Sequence, residues 1–216
     1  MIREVAQARN ASRQRLVKRG RHLEYFTIAY NCLEGLIAIV AGLFAGSIAL
    51  VGFGFDSIIE VTSGAALLWR LRADVDEARR ERVEKIALKI VGFCFLALAL
   101  YVGFEAVKSL LQRVPPDRSI PGIALAIASL MIMPLLSRAK RKVAREIRSV
   151  ALTADAKQTE LCTYLSAILL GGLLLNALLG WWWADHVAAL VMVPIILNEA
   201  IGALRGEQCC DDDVCP

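Results

Sequence analysis

Apolar residues run along this chain in long blocks, and most charged residues sit in the breaks between them. The first block covers about Tyr25 to Ala45, and the pair Gly46 and Ser47 leaves only a tight turn before the second, about Ser47 to Trp69. A charged connector, "RLRADVDEARRERVEK", separates these from a third block near Leu88 to Leu111. That block must end at "QRVPPDRSIP", where Pro115, Pro116 and Pro121 forbid a continuing helix. The fourth runs from Gly122 to about Ser137, carries Pro134 near its end, and continues as the basic helix "RAKRKVAREIRS". The fifth begins near Val150, Gly180 turns the chain, and the sixth covers about Trp182 to Leu204. Each block approaches or reaches the roughly 20 residues that cross a hydrocarbon core about 30 Å thick. The pattern predicts an all-α membrane protein with six transmembrane helices. Its expected organisation is a basic N-terminal helix at 1–24, a six-helix domain at 25–205 and a Cys- and Asp-rich tail at 206–216.

Composition agrees and narrows the class. Of 216 residues, 57% are hydrophobic and 21% charged, with a mean hydropathy of +0.54, too apolar a mixture for a soluble domain. The net charge of +4 would hint at nucleic acid in a soluble chain, but here the basic residues cluster between apolar blocks and read as orientation signals. Twenty-two Lys and Arg fall on one side of the expected membrane and three, Lys108, Arg113 and Arg118, on the other. This predicts a multi-pass protein of the cell membrane with both termini cytoplasmic, and no nucleic-acid partner. Of six cysteines, Cys32, Cys94 and Cys162 lie in separate blocks while Cys209, Cys210 and Cys215 share the tail with three aspartates. No CxxC pair exists, which argues against a thiol relay.

The informative residues are charges inside apolar blocks, since a carboxylate near the bilayer midplane costs about 3 kcal/mol or more. Asp56 and Glu60 lie four apart in the second block, on one helix face and about 6 Å apart along the axis. Two carboxylates that close cannot both ionise in a low dielectric, so either they share protons or a cation neutralises them. Asp155, Gln158, Thr159 and Cys162 form a matching stripe on the fifth block. If these helices pack together, Asp56, Glu60, Gln158 and Cys162 make a four-coordinate oxygen and sulfur set suited to zinc and softer d-block ions. The plain alternative is an ion pair with a Lys or Arg of another helix. The interior candidates for that role, such as Lys157, lie near helix ends and can reach water. Asp155 with Glu160 reads equally as an access funnel or a solvated helix end. Glu34 and Asn31 either line a water-filled path or pair across helices, and Glu199, close to Arg205, reads as an ordinary helix-end group.

The pieces "GSIALVGFGFDSIIEVTSG", "ALTADAKQTELCTYLSA" and "WWADHVAALVMVPIILNEA" resemble the cation diffusion facilitators, over nearly all of residues 25–205. The resemblance is to short members that lack the usual cytoplasmic domain, and it implies a cation-efflux-type helical bundle. In that family two metal ligands lie four apart on the second span and two more four apart on the fifth, commonly His or Asp followed by Asp. In register these fall on Asp56 and Glu60, then on Gln158 and Cys162. The chain departs from the pattern at the fifth-span pair, and Phe53 stands where the family has an acidic residue. The resemblance implies a secondary transporter rather than an enzyme, with no prosthetic group. Its expected cargo is Zn²⁺ or a similar ion (Cd²⁺, Co²⁺, Fe²⁺, Mn²⁺), exported in exchange for protons, and its expected assembly is a homodimer in the lipid bilayer. A non-transporting membrane metal sensor is the alternative. His186, a lone interfacial histidine, is expected to be structural.

Overall fold

The computed structural model describes residues 2–72, 77–147 and 150–205, with side chains described at 14–68, 89–147 and 152–205. The tail at 206–216, with its three cysteines, lies outside the described residues, as does 73–76 of the charged connector. Among the described residues there are six helices and no strand: α1 (Ile2–Ala45), α2 (Ile48–Arg72), α3 (Glu77–Gln112), α4 (Ile120–Ile147), α5 (Val150–Leu179) and α6 (Ala184–Arg205). Each contains a stretch long and apolar enough to cross a membrane. Pro134 and Pro194 sit inside α4 and α6 without ending either helix, since neighbouring helices can satisfy the backbone groups that a proline frees.

α1 runs unbroken from Ile2 to Ala45, across the expected boundary between residues 24 and 25. Gly20, the one potential breaker there, packs against Val143 of α4 and Leu152 of α5, at van der Waals distance from where a Cβ would stand. The basic N-terminal stretch is therefore packed in the bundle at Gly20 and Glu24.

α2 is the innermost helix. It packs against α1, α3, α5 and α6, and 61% of its most apolar window is buried, against 33–39% for the other five spans. Close approach requires glycine: a Cβ at Gly54 would stand 2.7 Å from Ile39 Cγ1 and 3.0 Å from the Ile39 backbone nitrogen, so α1 and α2 cross almost backbone to backbone. Leu36, Leu43, Phe44, Phe104, Leu111 and Met131 point outward, an apolar exterior suited to acyl chains.

The face of the bundle that carries the short turns is closed by polar contacts. Gly46 (φ 63°) and Gly180 (φ 67°) adopt the left-handed conformation that ends α1 and α5. The Asp117 N–H donates to Ala45 O (2.7 Å), Asn176 Nδ2 donates to Pro116 O (3.1 Å), and His186 Nε2 lies 3.0 Å from Val114 O. Asp185, at the start of α6, caps α2 across the turn face. Its carboxylate accepts from Ser47 Oγ (2.5 Å) and from the backbone N–H groups of Ile48 (3.0 Å) and Ala49 (3.5 Å). An anion at a helix N-terminus satisfies otherwise unpaired amides and the positive end of the helix dipole.

Candidate metal centre

A continuous polar seam runs through the interior where α1, α2, α4 and α5 meet. On α1 the buried positions 20, 24, 27, 31, 34 and 38 recur at steps of three or four, and four of them are Glu24, Thr27, Asn31 and Glu34. On α2 the seam carries Asp56, Ser57 and Glu60, on α4 Ser129, Ser137 and Lys140, and on α5 Asp155, Gln158, Thr159 and Cys162. All are less than 9% exposed. Helical periodicity therefore places them along one seam, but their side chains are polar.

The seam has two parts. In the part toward the turn face, Glu34 accepts from Ser57 Oγ at Oε2 (3.0 Å), and Cys162 Sγ lies 3.9 Å from the same oxygen. Glu34 also faces Tyr30 and Ser129. The charged neighbours acting on Asp56 are Glu60, Glu34 and Glu199, all acids, and those acting on Cys162 are Glu34, Glu60 and Asp56. Several polar atoms here are buried without a hydrogen-bond partner in the protein: Tyr30 Oη, Glu34 Oε1, Glu60 Oε2, Ser129 Oγ and Gln158 Nε2. Buried polar groups of this kind are normally satisfied by water or an ion, and an oxygen-rich set with one thiol fits a hydrated zinc-class dication.

The part toward the chain termini holds a cation of its own. Lys140, fully buried, donates to Asp155 Oδ2 (2.5 Å) and Thr159 Oγ1 (3.2 Å), and its Nζ is 3.1 Å from Glu24 Oε2. Glu60 joins the two parts: Thr159 Oγ1 donates to Glu60 Oε1 (2.7 Å), Asn31 lies beside the same carboxylate, and Lys140 acts on it through space.

The four expected ligands are all buried, and α2 does pack against α5. They are not gathered into a ready coordination sphere. Among the described residues no three His, Cys, Asp or Glu side chains converge at metal-binding distances. Glu60 reaches α5 through Thr159 rather than through Gln158, and the carboxylate beside Cys162 is Glu34 of α1, which was expected to line a path or pair across helices. Asp155 is not a solvated helix end, since it is 4% exposed and bonded to Lys140. Glu160 is a half-exposed ion-pair partner of Arg141. Glu199 is half-buried and faces Lys157. His186 is a buried packing residue, edge-on to Trp182.

Lys140 is the residue that the sequence argument missed, and it overturns the expectation that interior basic groups lie only near helix ends. A signal was present. Met133, Leu136 with Ser137, Lys140, and Val143 with Ala144 continue one buried stripe at steps of three or four, whereas Arg138, Arg141, Lys142 and Arg145 fall off it. Glu24 likewise continues the stripe of Thr27, Asn31 and Glu34.

Residues 26–206 match the cation efflux transmembrane domain. An uncharacterised transporter of Synechocystis sp. is 25% identical over 174 residues, covering 77% of this chain and 56% of the relative. One from Methanocaldococcus jannaschii is 24% identical over 180 residues, 81% of this chain and 63% of the relative. The cation-efflux pump FieF of Cronobacter sakazakii is 25% identical over 177 residues, 79% and 57% respectively. The chain thus spans a little over half the length of these curated relatives. With six membrane-crossing helices matched from the first to the last, and buried acids on the second and fifth, this chain belongs to the cation efflux family.

Proposed function

We propose that this protein carries a divalent transition metal of the zinc class out of the cytoplasm, exchanging it for protons by alternating access around a site at Asp56 and Glu60. The observation that carries the reading is Asp56, a buried acid whose charged neighbours are themselves acids. Asp56 sits in the innermost helix with only acids as its charged neighbours, an arrangement that a low-dielectric interior tolerates only when protons or a cation neutralise it. Proton and dication then compete for the same oxygens, and that competition couples their movements. Gln158 and Cys162 complete the coordination when α5 shifts against α2, with Glu34 as a further oxygen donor. The thiol biases the site toward soft ions, since a thiolate forms readily once metal binds. Both termini face the cytoplasm in this reading, and the working assembly is a homodimer.

Zinc flux into proteoliposomes under an imposed pH gradient tests this. The parent protein should accumulate zinc, and Asp56→Ala should fall to the level of protein-free vesicles while eluting as a monodisperse species. Undiminished uptake by that variant would remove the site. Binding without flux in the parent would favour the sensor reading.

A further inference from the structure

Lys140 is not needed to explain how a dication binds at Asp56, yet it is fully enclosed in the bundle. Its ammonium has no solvent exposure and lies among carboxylates from three helices: Glu24 of α1, Asp155 of α5 and, across the Thr159 hydroxyl, Glu60 of α2. Glu24 is fully buried, its carboxylate occupying space left by the missing side chain of Gly64. Both Glu24 oxygens and Asp155 Oδ1 lack hydrogen-bond partners, although Lys140 stands 3.1 Å from one of them. Three acids around one ammonium leave oxygen donors in excess. Such a pocket would suit a dication if the lysine were not there.

We propose that Lys140 is a tethered cation occupying a second divalent-metal pocket, so that the membrane domain takes up one dication rather than two. This rests on the Asp56 and Glu60 reading above, because Glu60 is the oxygen donor that the two pockets share. The lysine balances the terminus-side acids at all times, while the turn-side acids must borrow a mobile cation. By leaning on Asp155 and Glu24, it also leaves Glu60 free to turn toward the incoming metal. Lys140 is therefore a positioning residue whose anchor is Asp155.

The test is zinc stoichiometry by equilibrium dialysis on the full chain in lipid nanodiscs, read as differences from the parent so that zinc held by the tail cysteines cancels. Lys140→Met, similar in shape and uncharged, should gain one zinc per chain, and Lys140→Arg should stay at the parent value. An unchanged count in folded Lys140→Met, or a gained zinc in Lys140→Arg, would overturn the proposal. Asp155→Asn, which keeps the lysine paired with Glu24, tests the same idea with the opposite sign. Released from its anchor, the ammonium should lean on Glu60 and weaken the remaining site at least tenfold without changing the count. An unchanged affinity there also overturns the proposal. Asp56→Ala should lose one zinc relative to the parent; if it does not, the underlying site reading fails, whatever the Lys140 variants show.

Discussion

Two groups of acids lie end to end in the same four-helix seam, and they differ in who supplies the positive charge. Around Lys140, Glu24 and Asp155 share one ammonium belonging to the chain itself. Around Asp56 the charged neighbours are Glu34, Glu60 and Glu199, and nothing in that set is positive. Burial is comparable: Asp155 is 4% exposed and Asp56 6%. Desolvation therefore does not distinguish the groups; the presence of an internal cation does. A buried group that carries its own cation is partly neutralised from within, whereas one that lacks it needs protons or a cation from outside. Under the proposed function, the contrast puts the transport site where an internal cation is missing.

The sharpest way to break that comparison is to neutralise one acid from each group. Asp155→Asn removes an acceptor from a charged hydrogen bond and should lower stability by about 2 kcal/mol. Asp56→Asn removes a charge that no basic neighbour compensates, and should leave stability unchanged or raised. Thermal unfolding of the two variants in the same detergent measures the difference, and equal destabilisation would mean that both groups are structural. A smaller effect should come from the turn face, where Asp185→Asn weakens the cap on α2. A loss of about 1–2 kcal/mol is expected, with zinc binding retained because the cap lies away from the seam. An intact unfolding temperature there would show that α2 does not depend on its cap.

Cys162→Ser sharpens the picture at nearly constant volume. The ratio of cadmium to zinc uptake should fall several-fold while stability moves by less than about 1 kcal/mol, since the exchange replaces a soft donor by a hard one. An unchanged ratio would reduce the thiol to a packing group. The smallest effect belongs to the half-exposed Arg141–Glu160 pair. Arg141→Ala should change stability by no more than about 0.5 kcal/mol and zinc uptake not measurably; a large loss of uptake would restore Glu160 to the metal path.

Much of this protein follows from its sequence alone. Blocks of about 20 apolar residues leave a chain no choice but to span, because a bilayer offers backbone groups no water and the α-helix satisfies them within the segment. The six spans and the turns at Gly46 and Gly180 are local consequences of that rule and of left-handed backbone geometry. The prominence of Asp56 and Glu60 was equally local, since a pair of acids four apart inside an apolar block stands out without any partner being known.

What the order of residues did not reveal was which charges face each other, because that depends on the rotation of one helix against another. Lys140 sits in a run of six basic residues that looks like a solvated face, and only the packing of α4 against α1 and α5 turns it inward. The same packing put Asp155, which read equally as an access funnel or a solvated helix end, into an ion pair, and brought Glu34 of α1 beside Cys162. Membrane insertion acts on segments and can be read along the chain. Charge balance acts between segments about 10 Å apart, and only the tertiary structure decides it.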